Sequence, residues 1–254
     1  MEWATRRKIL YGVSCVLLVA ATSVYVFRDT LFPAPTCFDT RQNGYETGVD
    51  CGGGCALRCT QDVVPLAVLW SKAVPTREGV YDIVAMVNNR NVDSSPLFAT
   101  YAMTLFDTAG GVLAQVFGSS SAPVSGTFPI IIQNVALPSS PVNVATTIAP
   151  SAYYASSETA RDPAVRVLKY MFDPQATTPR LYVTIKNVKR TAISNLRVRI
   201  VVYDVNDNAI AVGESVVPSL DKEEVEDVVY TWPTLFTHEP VRVQVFPIID
   251  PFMR

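Results

Sequence analysis

The tightest constraint on this chain is an internal repeat, because residues 63–150 and 163–254 carry the same order of segments. Val68-Leu69-Trp70 corresponds to Val167-Leu168-Lys169, and Ala85–Asn89 to Val183–Asn187. Phe106-Asp107, four residues and Val112-Leu113-Ala114 correspond to Tyr203-Asp204, four residues and Ala209-Ile210-Ala211. The offset drifts only from 99 to 98 to 97 residues, so loops change length slightly while segment order persists. Within each copy, apolar and polar residues alternate in short runs bounded by Gly, Pro, Asn, Asp and Ser, the pattern of many short strands. The first copy predicts strands over 66–74, 80–88, 99–106, 112–117, 128–134 and 142–148. The second predicts them over 165–172, 180–186, 196–203, 209–216, 225–231 and 241–247. Leu196, Val198, Ile200 and Val202 share one buried face, with Arg197 and Arg199 on the other. Asp107–Gly111 and Asp204–Asn208 supply residues that tolerate positive φ, as hairpin turns require.

Each copy has the size of an immunoglobulin-like sandwich. The fold class is therefore mainly β. Two tandem immunoglobulin-like antiparallel β-sandwiches, at 63–150 and 163–254, are expected with a linker at 151–162. An Asn ending one strand, then a strand closing on Phe/Tyr-Asp, a turn and a short apolar strand together resemble FxLYD-type and late-embryogenesis-abundant-type β-sandwiches. That resemblance implies an exported bacterial protein, and it transfers no catalytic residue.

Ahead of the repeat lies a segment that cannot build a core. Between Thr36 and Cys59 there are five glycines and almost nothing bulky and apolar, so a covalent or metal staple is required. Cys37, Cys51, Cys55 and Cys59 all fall here, and residues 60–254 contain no cysteine. Two disulfides in an oxidising compartment are expected, and spacing does not choose among the three pairings. Asp39, Asn43, Glu46 and Asp50 are oxygen donors in the same Gly-rich loop, so disulfides with bound calcium are a second arrangement. A four-cysteine zinc site is a third, disfavoured because Cys51-x₃-Cys55-x₃-Cys59 lacks paired Cys-x₂-Cys knuckles. The run Cys37-x-Asp39, Asn43-Gly44-x-Glu46-Thr47-Gly48-Val49-Asp50-Cys51-Gly52-Gly53-x-Cys55 resembles a small cysteine motif of exported bacterial surface proteins. It departs from that motif at Thr40, where a glycine is usual.

Near the start, Ile9–Phe27 runs nineteen residues without a charge, preceded by Arg6, Arg7 and Lys8. As a helix it would span roughly 28 Å, close to the hydrocarbon thickness of a bilayer. Trp3 and Tyr11 near one end, and Tyr25 and Phe27 near the other, suit the headgroup boundary. The cation bias places residues 1–8 in the cytoplasm, a transmembrane helix at 9–27 and a Cys-rich stalk at 28–62 outside. A cleaved signal peptide is the alternative, with small residues at Ala20, Ala21 and Ser23. The apolar run continues past them, longer than export alone requires. Cys15 reads as a small apolar residue of the helix.

Chemistry is sparse. His238 is the only histidine, which excludes a histidine metal cluster within one chain, and no nucleophile elbow or phosphate loop is present. The chain carries a net charge of −2, and its basic N-terminal 32 residues leave the remainder near −4, no footprint for nucleic acid. The acidic run Asp221–Asp227 reads as a solvated turn and strand edge, and Trp70 and Trp232 as core anchors. The expected function is a non-enzymatic structural or protein-interaction module of the cell envelope. It would be held in the lipid bilayer by residues 9–27 and would meet an envelope protein, with no small-molecule substrate. A calcium-responsive adhesin or sensor using the acidic loop is the alternative.

Overall fold

The computed structural model describes residues 2–31, 34–155, 164–173 and 176–249. The chain divides into two compact units, 1–55 and 56–254. In the first, helix α1 (Glu2–Val26) is followed by the short turn α2 (Arg28–Leu31) and the Cys-rich loop. Helix α1 begins before the apolar run because Arg6, Arg7 and Lys8 are good helix formers that propagate it. Its stretch Thr5–Val26 is long and apolar enough to cross a membrane, and none of it is buried.

The second unit is antiparallel β. Its strands are β1 (Ala67–Arg77), β2 (Val80–Asn89), β3 (Ser94–Pro96), β4 (Ala99–Phe106), β5 (Val112–Ser120), β6 (Gly126–Ala136) and β7 (Asn143–Pro150). They continue with β8 (Tyr153–Ala155), β9 (Val165–Phe172), β10 (Arg180–Asn187), β11 (Ile193–Tyr203), β12 (Ala209–Leu220), β13 (Val225–Thr231) and β14 (Arg242–Ile248). The first copy forms sheets β1-β2-β6 and β5-β4-β7, and the second repeats that order as β9-β10-β13 and β12-β11-β14. Each sheet pair closes on its own apolar cluster. Ile83, Met103, Leu105, Phe128 and Ile130 fill the first, and Leu181, Ile185, Leu196, Val198 and Ile200 the second. The four residues expected on one buried face of β11 all point into that second cluster.

Two short strands carry no alternation and were not expected. β3 pairs with β8, and Leu57 extends this ladder by bridging to Tyr154. Backbone bonds from Arg58 N–H to the Tyr153 carbonyl (2.9 Å) and from Ala155 N–H to the Ala56 carbonyl (2.7 Å) complete it. Asn91 then clamps Val64, accepting its N–H and donating to its carbonyl, both at 2.8 Å. Residues 56–64 are thereby laid onto the first copy, so the expected stalk 28–62 divides at Cys55. Of the expected linker 151–162, residues 153–155 are β8, and 156–162 lie outside the described residues.

The two copies are not beads on a string. A third apolar cluster joins them, with Val74, Val84 and Met86 from the first and Val201, Tyr203, Ala209 and Val212 from the second. Trp70 packs edge-on to Tyr203 there, ring centroids 6.5 Å apart. Ile248, at the end of β14, is buried in the first copy's own core. The middle strands β2 and β11 are consequently buried on both faces over Ile83–Val87 and Val198–Tyr203. Burial on both faces explains the unbroken apolar runs Ile83–Val87 and Ile200–Tyr203.

Candidate functional site

Residue type singles out two places, the acidic cysteine loop and the polar residues repeated in both copies, and the structure adds a third, the seam between the copies. In the loop, Cys37 and Cys55 are bonded to each other, and Cys51 and Cys59 are disulfide-bonded as well. The sulfurs of Cys37 and Cys55 and a carboxylate oxygen of Glu46 lie within 4.8 Å of one another, a spacing that would suit a metal. Sulfurs joined in a disulfide are not thiolates, so a zinc tetrathiolate is excluded.

Of the four expected oxygen ligands, the three carboxylates turn onto the loop's own backbone N–H groups, and Asn43 donates its amide to Asp39. Asp50 accepts the N–H groups of Asp39 and Thr40, at 2.9 and 2.8 Å. Glu46 accepts those of Asn43 and Asp50, at 3.2 and 3.3 Å. Asp39 accepts from the Asn43 amide and the Arg41 N–H, at 2.8 and 3.0 Å. The Asn43 amide, and secondarily the backbone, hold the Asp39 carboxyl below the usual carboxylate range. A cation here would compete with these donors. Gly53 is obligatory, since a Cβ would lie 1.6 Å from the Tyr45 carbonyl oxygen. The fold of the loop is therefore written in its Gly and Asp/Glu residues, which cap backbone groups that have no sheet to join.

The repeated polar residues are also architectural. Asn89 and Asn187 end equivalent strands and are fully buried. The side-chain amide of Asn89 donates to the carbonyls of Ser94, Pro123 and Val124, and that of Asn187 to those of Thr191, Leu220 and Asp221. Each also accepts a backbone N–H two residues on, from Asn91 or Lys189. Asp107 and Asp204 cap equivalent turns by accepting the N–H groups two and four residues later. Those bonds, chiefly to Asn208, lower the Asp204 pKa. The acidic run behaves similarly, with Glu224 accepting the Asp221 N–H and Asp227 accepting the Thr184 hydroxyl. Trp232 is buried, donates to the Val212 carbonyl (3.0 Å) and stacks on Tyr230.

At the seam, geometry brings together groups that the sequence left apart. Arg199 is only 4% exposed. Its Nε donates to Glu214 (2.6 Å), and its Nη1 crosses to the first copy's Ser120 hydroxyl (3.0 Å) and Pro129 carbonyl (2.8 Å). Arg197 donates to the other Glu214 oxygen at 2.6 Å. Asp82 lines a polar cavity of about 260 Å³ opposite Glu214 and accepts the Asn134 N–H at 2.9 Å. Burial raises the Asp82 pKa against these hydrogen bonds. A raised carboxyl pKa favours folding when protonated, so this contribution falls away as pH rises from the ordinary carboxylate value through the raised one. Asp82→Asn keeps the acceptor and removes the buried charge. It is expected to raise the melting temperature at pH 7 by about 2–4 °C, the effect of ~1 kcal/mol in a domain of this size, and to give no gain at pH 3. Differential scanning calorimetry at both pH values checks this.

A wider groove of about 530 Å³ runs along the same seam, between Lys72, Thr76 and Tyr81 on one side and Asn208, Phe236 and His238 on the other. His238 reaches it from the loop expected for it, its Nδ1 3.1 Å from the Thr237 hydroxyl. Asp204 lies on the same wall with its carboxylate engaged by Asn206 and Asn208. The continuous apolar runs of β2 and β11 were the signal for this seam, because an amphipathic sandwich strand has no reason to be apolar on both faces. No protein-family model matches the chain, and no match was found among curated proteins.

Proposed function

We propose that this chain is a membrane-anchored, extracytoplasmic interaction scaffold of the cell envelope, built from two immunoglobulin-like sandwiches related to the FxLYD and late-embryogenesis-abundant types. Residues 1–8 stay in the cytoplasm, and the disulfide-bonded loop and the β block stand outside. The observation that carries this reading is helix α1, whose stretch Thr5–Val26 is long and apolar enough to cross a membrane and is not buried. In water such a helix would be an aggregation site, whereas in lipid its backbone is satisfied and its side chains are at home. Disulfides on the C-terminal side of the helix agree with an oxidising exterior. The third core supports a scaffold, because two sandwiches locked face to face hold any surface that spans them in one geometry.

The test is extraction and labelling in intact cells. After alkaline carbonate treatment the full chain is expected in the membrane pellet, with protease added from outside removing residues 56–254. A photo-crosslinking residue at exposed Phe117 or Leu235 is expected to give an adduct of one fixed mass. A chain recovered in the carbonate supernatant, or adducts absent at every exposed position tried on both copies, overturns the reading.

A further inference from the structure

The seam carries a second groove, of about 420 Å³, whose chemistry differs from the rest of the surface. Its floor is the arginine face of β11, and its opposite wall is the serine-rich end of β5 in the first copy. The charges there do not cancel. Glu214 spends one oxygen on Arg197 and the other on Arg199, so two guanidinium groups share one carboxylate and a positive charge is left over. Arg199 is fixed, with Nε and Nη1 engaged and its side chain only 5% exposed. Arg197 is different. Its side chain is 48% exposed, and only Nη1 has a partner among the described residues, leaving Nε and Nη2 open. Ser119, Ser121 and Asn195 line the same groove. Phe98 and Val216 form an apolar rim, 45% and 47% exposed.

We propose that this groove binds a carboxylate carried next to an apolar side chain, of the kind an acidic peptide segment of a partner protein presents. The open fork of Arg197 matches a carboxylate bidentately, and such charge-assisted bonds strengthen in a recess partly shielded from water. Arg199 acts as a positioning residue by holding Glu214, which in turn holds Arg197 in the groove. The apolar rim takes the neighbouring side chain, and Ser119, Ser121 and Asn195 offer further hydrogen bonds to the remaining lone pairs of the carboxylate. Two cations are too few for a nucleic-acid backbone, where affinity grows with the number of phosphates neutralised. No counterpart exists in the first copy, where Thr100, Ala102 and Phe117 occupy the positions of Arg197, Arg199 and Glu214. The groove therefore belongs to the joined pair and not to the repeat. The proposal names the partner chemistry of the interaction scaffold and rests on that reading only for whose carboxylate it is.

The test uses the full chain in a neutral detergent and ligand-observed saturation-transfer NMR with three probes: benzoate, benzamide and phenyl phosphate. Benzoate is expected to bind with a dissociation constant on the order of millimolar, as suits a ligand of so few atoms, with benzamide at least tenfold weaker. Arg197→Gln is expected to weaken benzoate at least tenfold. Val216→Glu, which plants a carboxylate at the rim and leaves Arg197 in place, is expected to do the same. Lys72→Gln, a cation outside this groove, is expected to change nothing. Unaltered near-ultraviolet circular dichroism establishes that each variant is folded. Equal binding of benzamide, or benzoate binding that survives both groove variants, overturns the proposal. Phenyl phosphate binding tenfold tighter than benzoate overturns the carboxylate assignment in favour of a phosphorylated ligand. Loss of the cellular crosslinks with benzoate binding intact sinks the scaffold reading and leaves the groove standing.

Discussion

Asn187→Leu is expected to cost about 4 kcal/mol of stability and to lower a single unfolding transition of the whole β block. The side chain is fully buried, and its amide is the partner of the Thr191, Leu220 and Asp221 carbonyls while its oxygen takes the Lys189 N–H. Leucine has the same branched skeleton of four side-chain heavy atoms and is somewhat bulkier, so no cavity is left. What is lost is hydrogen bonding to several groups that water cannot readily reach, each worth about 1–3 kcal/mol when stranded, with partial relaxation keeping the total below the sum. Two loops, one after β10 and one after β12, are tied by this one residue, so both loosen together. Asn187→Asp serves as the discriminating control. It keeps the acceptor for Lys189 but replaces the donor by a buried charge facing carbonyl dipoles, and it is expected to destabilise at least as much at pH 7. Asn89→Leu in the first copy is expected to match it, because the same pattern of three carbonyls and one N–H recurs there. Urea denaturation followed by circular dichroism measures all three. A loss below about 0.5 kcal/mol for Asn187→Leu, typical of surface changes, would show the amide to be dispensable.

The same residue shows which parts of this fold a sequence displays. Twelve long strands were legible because each presents apolar residues at period two to a core of its own copy, as Leu181, Val183 and Ile185 do. β3 and β8 were not legible, since three residues such as Ser94-Ser95-Pro96 hold no period. The repeated Asn and Phe/Tyr-Asp were visible as a pattern but not as a mechanism. Only the fold brings the carbonyls of Pro123 and Val124 around Asn89, 34 and 35 residues away. The loop acids were grouped by the sequence, yet their hydrogen-bond targets were hidden, because a carboxylate that caps N–H groups and one that binds calcium have the same sequence. Disulfide pairing was hidden for a related reason, as crowded cysteines all lie within reach of one another. The seam was the largest gap. Alternation assigned Arg199 to the face opposite the apolar one, as is the case, but that face meets the other copy instead of water.

Because that face is covered, Arg199→Ala is expected to cost about 3 kcal/mol and to loosen the two copies from each other. Removing one partner of a buried ion pair is usually worth 3–5 kcal/mol, since the other is left without compensation. Here the lower end applies, for Glu214 keeps Arg197 and retains some contact with solvent. Alanine also strands the Pro129 carbonyl and the Ser120 hydroxyl on the first copy, the two atoms that Arg199 reaches across the seam. The apolar part of the seam, Val84 and Met86 against Val201 and Val212, remains, so both copies should still fold. Coupling should then weaken before either core does. The urea transition is expected to broaden or split, with a smaller slope in its first phase, while the native protein keeps its near-ultraviolet signal. A double-mutant cycle with Glu214→Gln separates the charge pairing from the crossing bonds. A coupling energy above about 1 kcal/mol assigns the loss to the ion pair, and one near zero with the full single-mutant loss assigns it to Ser120 and Pro129. Only the second result makes Arg199 the polar tie between the copies, since Glu214 belongs to the same copy as Arg199. A sharp transition of unchanged midpoint in Arg199→Ala would instead leave the apolar cluster to hold them alone.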